Sequence, residues 1–274
     1  MLYMKAQKQN NKKNLSLQHM NSMYRIMGFM IGRIFRYRYN VVIQNFARAF
    51  PDMSYTTIVH HAHDFYCILG RIVIEQLSGI FRSPKLHVQN TQLLDTPYRE
   101  KRHIIILMGH YGNWELLNRL PALLSRPVQA LYKPLKNNLF DRLAQKSRTR
   151  EGLRLLPSSQ ALRTLLKEKN SPHITVFLAD QYPGPENGYA VTFLNQQTYA
   201  FSGAEKIAKT LNAYVVYGEF FPTGDYNWTL RLDLICESAS QTSVGEITQN
   251  YTRKLEDSII KAPSYWLWSH RRWK

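Results

Sequence analysis

Two residues whose chemistry complements each other, His110 and Glu115, stand five places apart in RHIIILMGHYGNWELL, the stretch from Arg102 to Leu117. Imidazole titrates near neutrality, and a carboxylate on its far nitrogen fixes the tautomer and makes it a competent general base. The spacing predicts that Glu115 plays this part for His110. Ile104, Ile105, Ile106, Leu107 and Met108 form a continuous apolar run, as a strand covered on both faces would, and would carry His110 at its tip. Gly109 and Gly112 permit a sharp turn and close approach to the backbone. Asn113 is placed to cap the helix bearing Trp114 and Glu115, so the amides near Gly112 and Asn113 become candidate oxyanion donors. Strand tips of this kind are where open α/β sheets place ligands. The chain has no GxSxG, P-loop or GxGxxG pattern, so base-assisted direct transfer is favoured over a covalent enzyme intermediate.

The rest of the chain must hold that tip. From about residue 85 the pattern alternates, with strands predicted at 103–108, 128–132, 173–178, 213–220 and 229–235 and helices at 113–124, 137–150, 158–169, 201–211 and 243–261. Alternation of this kind predicts an α/β fold with a mixed, largely parallel sheet flanked by helices. Residues 85–274 then form the main domain, and residues 1–84 a basic N-terminal helical extension. Within the extension, residues 1 to about 20 are polar. Met23, Ile26, Met27, Met30, Ile31 and Ile34 recur at helical spacing beside Arg25, Arg33 and Arg36, although Gly28 and Gly32 weaken an isolated helix. Ser54 is placed to cap a further helix running to about Leu77. Its His60, His61, His63 and Asp64 read as a polar face, and no metal site is expected.

Thirty-six Lys and Arg against nineteen Asp and Glu give a formal charge of +17, which points to anionic partners. Nine of the basic residues precede Asp52 and no acid does, as on a helix lying on an anionic membrane surface. No stretch reaches the roughly 18–20 apolar residues of a spanning helix, and no secretory signal is read at the N-terminus. Cys67 and Cys236 show neither metal nor disulfide spacing and suit a reducing environment.

GHYGNWE resembles the signature of the late acyltransferases of lipid A biosynthesis, the lauroyl and myristoyl transferases, within the wider HxxxxD/E acyltransferase class. Four further blocks follow in order: YKPLKNNLFDRLAQKSRTREG at 132–152, FLADQYPG at 177–184, AVTFLN at 190–195 with FSGAEKIAKTLNAYVV at 201–216, and the closing YWLWSHRRWK. The resemblance covers most of 43–274. It departs at Leu194 and Asn195, where the family has an aromatic and a glycine, and in a shorter N-terminal anchor.

The resemblance implies a glycerolipid-acyltransferase-like fold and an enzyme of the cytoplasmic face of the inner membrane, here attached at the interface. It would move a fatty acyl group from acyl carrier protein, or alternatively acyl-CoA, to a hydroxyl of a lipid A precursor. Another glycolipid or a lysophospholipid is the alternative acceptor. His110 and Glu115 would be catalytic. By the same resemblance Arg148, with Arg150 next, would bind acceptor phosphate or oxyanion, alongside Gly112, Asn113, Asp180 and Gln181. Asp180 would orient an arginine or sugar hydroxyls, or cap a turn. Lys133, Arg271 and Arg272 would contact acceptor or carrier. No cofactor or metal is required by this chemistry. A reading from another class is a non-catalytic basic module, for which charge alone would suffice. The basic residues follow no helix-turn-helix, zinc-finger or RRM pattern, and no nucleic acid partner is expected.

Overall fold

The computed structural model describes residues 21–78, 83–134, 138–171 and 173–273. The polar segment read at residues 1 to about 20 lies outside them. A seven-stranded sheet forms the centre, with strands β1 (Lys85–Gln89), β2 (Ile104–Met108), β3 (Val128–Tyr132), β4 (Arg154–Pro157), β5 (Ile174–Leu178), β8 (Tyr214–Gly224) and β9 (Asn227–Cys236) in the order β1-β9-β8-β2-β5-β3-β4. Neighbours are parallel except β8 and β9, so the fold is the expected α/β arrangement with a mixed, largely parallel sheet. A separate hairpin pairs β6 (Gly188–Phe193) with β7 (Gln196–Phe201).

Side-chain alternation along the central strands feeds two apolar cores. Ile105 and Leu107 of β2, Phe177 of β5, and Val215 and Tyr217 of β8 join one cluster, while Ile104, Ile106, Met108, Ile174, Val176 and Val216 join the other. This explains the uninterrupted apolar run: a strand buried on both faces has no position to give to water. The first core also contains Val42 and Phe46 of a helix at Tyr39–Ala49, and Ile58, Phe65 and Tyr66 of a long helix at Tyr55–Ser78. The N-terminal helices therefore share their interior with the sheet. Ser54 caps the long helix by accepting the Thr57 amide at 3.2 Å.

The first described helix, Ser22–Phe29, runs into a π-helical turn at Met30–Ile34 and meets the long helix through glycines. A Cβ on Gly28 would lie 2.6 Å from the Tyr66 carbonyl oxygen and 2.7 Å from Cys67 Cα, and one on Gly70 would lie 2.6 Å from both the Gly28 amide nitrogen and the Tyr24 carbonyl. These are backbone atoms, which cannot step aside. Gly28→Ala or Gly70→Ala is expected to destabilise the protein by about 1–3 kcal/mol in urea unfolding, the usual range for overpacking. An unchanged midpoint would show that the two helices are free to separate.

Three departures from the sequence reading have local causes. The segment expected as one helix over 113–124 is a 3₁₀ turn at Trp114–Arg119 followed by a short α-helix at Leu120–Leu124, and Asn113 makes no side-chain cap. Its amide instead donates to Glu75 Oε2 at 2.8 Å. β1 and β4 were not expected; both are short strands at the sheet's edges. The hairpin was also missed, and its two-residue turn accounts for Leu194 and Asn195. Both have positive φ, 49° and 61°, as a type I′ turn demands, and asparagine tolerates that region almost as glycine does.

Candidate active site

His110 and Asp180 are brought together by register. β2 and β5 are adjacent and parallel, with Met108 opposite Leu178, so each strand's second residue past its end falls beside the other's. Those residues are His110 and Asp180. The Asp180 carboxylate accepts from His110 Nδ1 at 2.7 Å and from the His110 amide at 2.9 Å, and a third donor, Trp266 Nε1, completes it at 2.9 Å. Burial alone would raise the Asp180 pKa, but the attraction of His110 and these hydrogen bonds outweigh it and hold the carboxyl at about 2. In the neutral ring, Nδ1 donating to the carboxylate leaves Nε2 as the nitrogen without a proton, and among the described residues no side chain or backbone group bonds it. The His110 side chain is 16% exposed, enough to present that edge to a ligand.

The expectation that Glu115 holds His110 is corrected by this geometry. Glu115 lies in the 3₁₀ turn and pairs instead with Arg148: Nε donates to Oε2 at 3.0 Å and the terminal nitrogen to Oε1 at 2.6 Å, a bidentate fork. The bond to Glu115 raises the Arg148 pKa further above its ordinary value. Trp114 Nε1 also donates to Glu115 at 3.2 Å, while its ring meets His110 edge-on with centroids 5.3 Å apart. The site is therefore a His–Asp–Trp cluster with an Arg–Glu pair behind Trp114. A helix at Asn138–Thr149 carries Arg148, anchored by Tyr132 Oη donating to Asp141 at 2.6 Å and by Gln76 Nε2 donating to Ser147 Oγ at 2.6 Å.

The loop between His110 and Glu115 is clamped on two sides. The Gly112 amide donates to the Tyr265 carbonyl at 3.0 Å and the Leu267 amide to the His110 carbonyl at 3.0 Å, which fastens the C-terminal segment along the loop. The Gly112 amide is thereby occupied, so its expected service as an oxyanion donor is corrected. Gly112 itself has φ +66°, and a Cβ there would lie 2.7 Å from the Phe220 carbonyl oxygen. From the other side Glu75, 1% exposed, accepts from Asn113, from Trp228 Nε1 at 2.7 Å and from Arg71 Nε at 2.7 Å. Nothing in the sequence pattern announced Glu75, which sits in an apolar helical run.

The other expected residues separate by exposure. Lys133, Arg150, Gln181 and Arg271 are exposed, outside both pairs. Arg272 is corrected: it is 2% exposed, donates to Thr198 Oγ1 at 2.6 Å and lies over the Phe193 ring at 5.2 Å, so it packs the interior rather than meeting a carrier. His270, two residues before it, has its pKa pushed down to about 4 by burial and by the charges of His110, Arg272 and Arg38. It is neutral at neutral pH, and its Nε2 accepts the Tyr182 amide at 3.4 Å. A histidine that resists protonation only when folded costs stability as pH falls through the ordinary histidine value toward the depressed one. Thermal stability is therefore expected to decline from about pH 6.5 to about pH 4, and less steeply in His270→Gln. Parallel declines in the two proteins would remove His270 from that dependence.

Described by its similarities, the chain matches the bacterial lipid A biosynthesis acyltransferase family over residues 14–274. It is 22% identical over 255 residues to a lipid A biosynthesis palmitoleoyltransferase of Escherichia coli (strain K12), covering 90% of this chain and 82% of that one. The same identity and coverage hold for a lipid A biosynthesis acyltransferase of Shigella flexneri. Nearly the whole chain, with the histidine, the glutamate and the arginine that pairs with it, falls inside the matched region. The protein is an acyltransferase and belongs to the bacterial lipid A biosynthesis acyltransferase family.

Proposed function

We propose that the chain transfers a fatty acyl group from the thioester of acyl carrier protein to a hydroxyl of a lipid A precursor, directly and without an acyl-enzyme, at His110 and at the cytoplasmic face of the inner membrane. The observation that carries this reading is the His110 ring, fixed through Nδ1 by a buried carboxylate and open at Nε2. Nε2 takes the proton of the acceptor hydroxyl as its oxygen attacks the thioester carbonyl. Asp180 stabilises the imidazolium that forms, the part a buried carboxylate plays beside a catalytic histidine elsewhere. The tetrahedral intermediate collapses to the ester, and the departing thiolate recovers the proton from His110.

Arg148 is the group proposed to meet the developing oxyanion or an acceptor phosphate. Its fork is oriented by Glu115 and is one third exposed, and a guanidinium so held loses little freedom on binding. The +17 charge and the exposed Lys133, Arg150 and Arg271 suit an acidic carrier and a phosphorylated acceptor. Acyl-CoA as donor, and another glycolipid or a lysophospholipid as acceptor, are distinguished by assay. Purified protein is incubated with carrier protein or coenzyme A loaded with a range of acyl chains, together with each lipid, and lipid masses are read. Wild type is expected to add one acyl mass to the lipid A precursor, fastest from the carrier protein. Absence of any added acyl mass at saturating donor would end the reading. Arg148→Lys, which keeps the charge but loses the fork, is expected to lower kcat/KM by about tenfold to a hundredfold. An unaltered value would place Arg148 outside the chemistry.

A further inference from the structure

We infer that Trp266 is a positioning residue for the base: its indole N–H fixes the Asp180 carboxylate and takes up part of its charge, and so sets how strongly His110 holds a proton. The role of His110 in transfer rests on the reading proposed above; the coupling from Trp266 through Asp180 to His110 does not.

The indole reaches Asp180 from outside the residue that is being held. Oδ1 of the carboxylate accepts from His110 Nδ1 at 2.7 Å, while Oδ2 accepts from the His110 amide and from Trp266 Nε1, each at 2.9 Å. Asp180 is 6% exposed and Trp266 1%. A carboxylate held at both oxygens cannot turn about its Cβ–Cγ bond, so Oδ1 stays on Nδ1.

The N–H is aimed in advance. The Trp266 ring meets Phe193, Trp268 and Trp273 with centroids 5.7, 4.8 and 6.0 Å away, each steeply inclined to it. Its backbone bridges Tyr111, the residue after His110. Packing alone would be served by any acceptor for the indole. Trp268, equally buried, shows as much by donating its Nε1 to the Pro263 carbonyl at 2.7 Å. Trp266 directs its own at a buried anion that touches the base.

The direction of the effect follows from charge. A hydrogen bond to an ionised carboxylate favours the ionised form, and the Trp266 bond is among the causes that hold the Asp180 carboxyl at about 2. The same bond draws charge away from the oxygens that face the imidazole, so the imidazolium is attracted less than it would be by Asp180 without Trp266. A base that takes the hydroxyl proton and then returns it to the leaving thiolate must be neither too weak nor too strong. Trp266 holds it back from being too strong. His270 and Arg272 of the C-terminal segment, Tyr217 of β8 and Tyr251 of the helix at Glu246–Lys261 also face the pair, and all four remain when Trp266 alone is changed.

The test compares the full chain with its Trp266→Phe and Trp268→Phe variants, the second of which loses a buried indole bond that does not reach Asp180. Titration of His110 is followed by the nitrogen resonances of histidine-labelled protein without substrate, and kcat/KM is measured against pH with acyl carrier protein as donor. In Trp266→Phe the His110 midpoint is expected to rise by about half a unit to one unit, with kcat/KM about threefold to tenfold lower on the acid limb and equal to wild type on the alkaline plateau. Trp268→Phe is expected to lose stability without moving the midpoint. In wild type the Trp266 indole proton is expected to shift with the His110 midpoint, a measurement that stands even if Trp266→Phe does not fold. An unmoved or lowered midpoint in Trp266→Phe overturns the inference, as does an equal rise in Trp268→Phe or an indole proton indifferent to the titration. If the midpoints behave as expected but no lipid is acylated by any of the three proteins, the coupling stands and the acyl-transfer reading fails.

Discussion

His110→Ala is expected to lower kcat by about 10²–10⁴-fold with little change in KM, the range lost when a general base is removed. Asp180→Asn is expected to cost about 10⁴-fold although it removes no atom of the base, because the carboxylate faces three donors: His110 Nδ1–H, the His110 amide and Trp266 Nε1–H. An amide there sets donor against donor or turns the imidazole to the tautomer with Nε2 protonated. Glu115→Gln loses the charge partner of Arg148 but leaves the imidazole held, so it is expected to behave like Arg148→Lys rather than like Asp180→Asn. Steady-state rates on folded variants decide the order. If Glu115→Gln proved as damaging as His110→Ala while Asp180→Asn stayed active, the His110–Asp180 contact would not be the functional one. The same carboxylate sets an acid limit. Its pKa is held below its ordinary 3.8, at about 2, so its contribution to stability is present above the higher value and is lost as pH falls toward the lower.

Glu75→Ala is expected to destabilise the protein by about 3–5 kcal/mol, the cost of leaving a buried charge without its partner. Arg71, 6% exposed, would lose the carboxylate that it meets at 2.7 Å and keep the Gly224 and Asn227 carbonyls and the Trp228 and Tyr24 rings, whose centroids lie 4.3 and 5.7 Å from its guanidinium carbon. Asn113 and Trp228 would lose their acceptor at the same stroke. Since domains of this size keep only about 5–15 kcal/mol in all, this one change reaches a large fraction of the total. Urea unfolding measures it. A loss below about 1 kcal/mol would mean that water reaches Arg71 and that the cluster does not hold the loop.

The sequence exposed the elements more readily than the contacts between them. The strand at 128–132 was bounded to the residue, and those at 103–108 and 173–178 to within one, because strands buried on both faces are written as unbroken apolar runs. β1 and β4 escaped because neither is an unbroken apolar run: β1 alternates polar and apolar residues in KLHVQ, and β4 is the four-residue RLLP, which ends in a proline. The residues of the site were nearly all visible, but their partners were not. Proximity along the chain favoured Glu115 for His110, whereas the true partner lies seventy residues away and is brought in by strand pairing. The signal was present: GHYGNWE and FLADQ each place a polar residue two positions beyond an apolar strand, and adjacency of the two strands makes those positions neighbours. Glu75 and Trp266 carried no such mark, since a buried carboxylate and an indole donor acquire meaning only from what folds against them.

The pairing of β2 with β5 also makes the site a gauge of the fold's accuracy. Side chains alternate across a sheet, so a slip of one residue between these strands turns one of the pair, His110 or Asp180, to the opposite face. A chain mispaired in that way could keep its helices, its strand content and a compact shape, and would still possess no base. Specific activity therefore reports the fraction of molecules in correct register, which spectroscopic measures of secondary structure pass over.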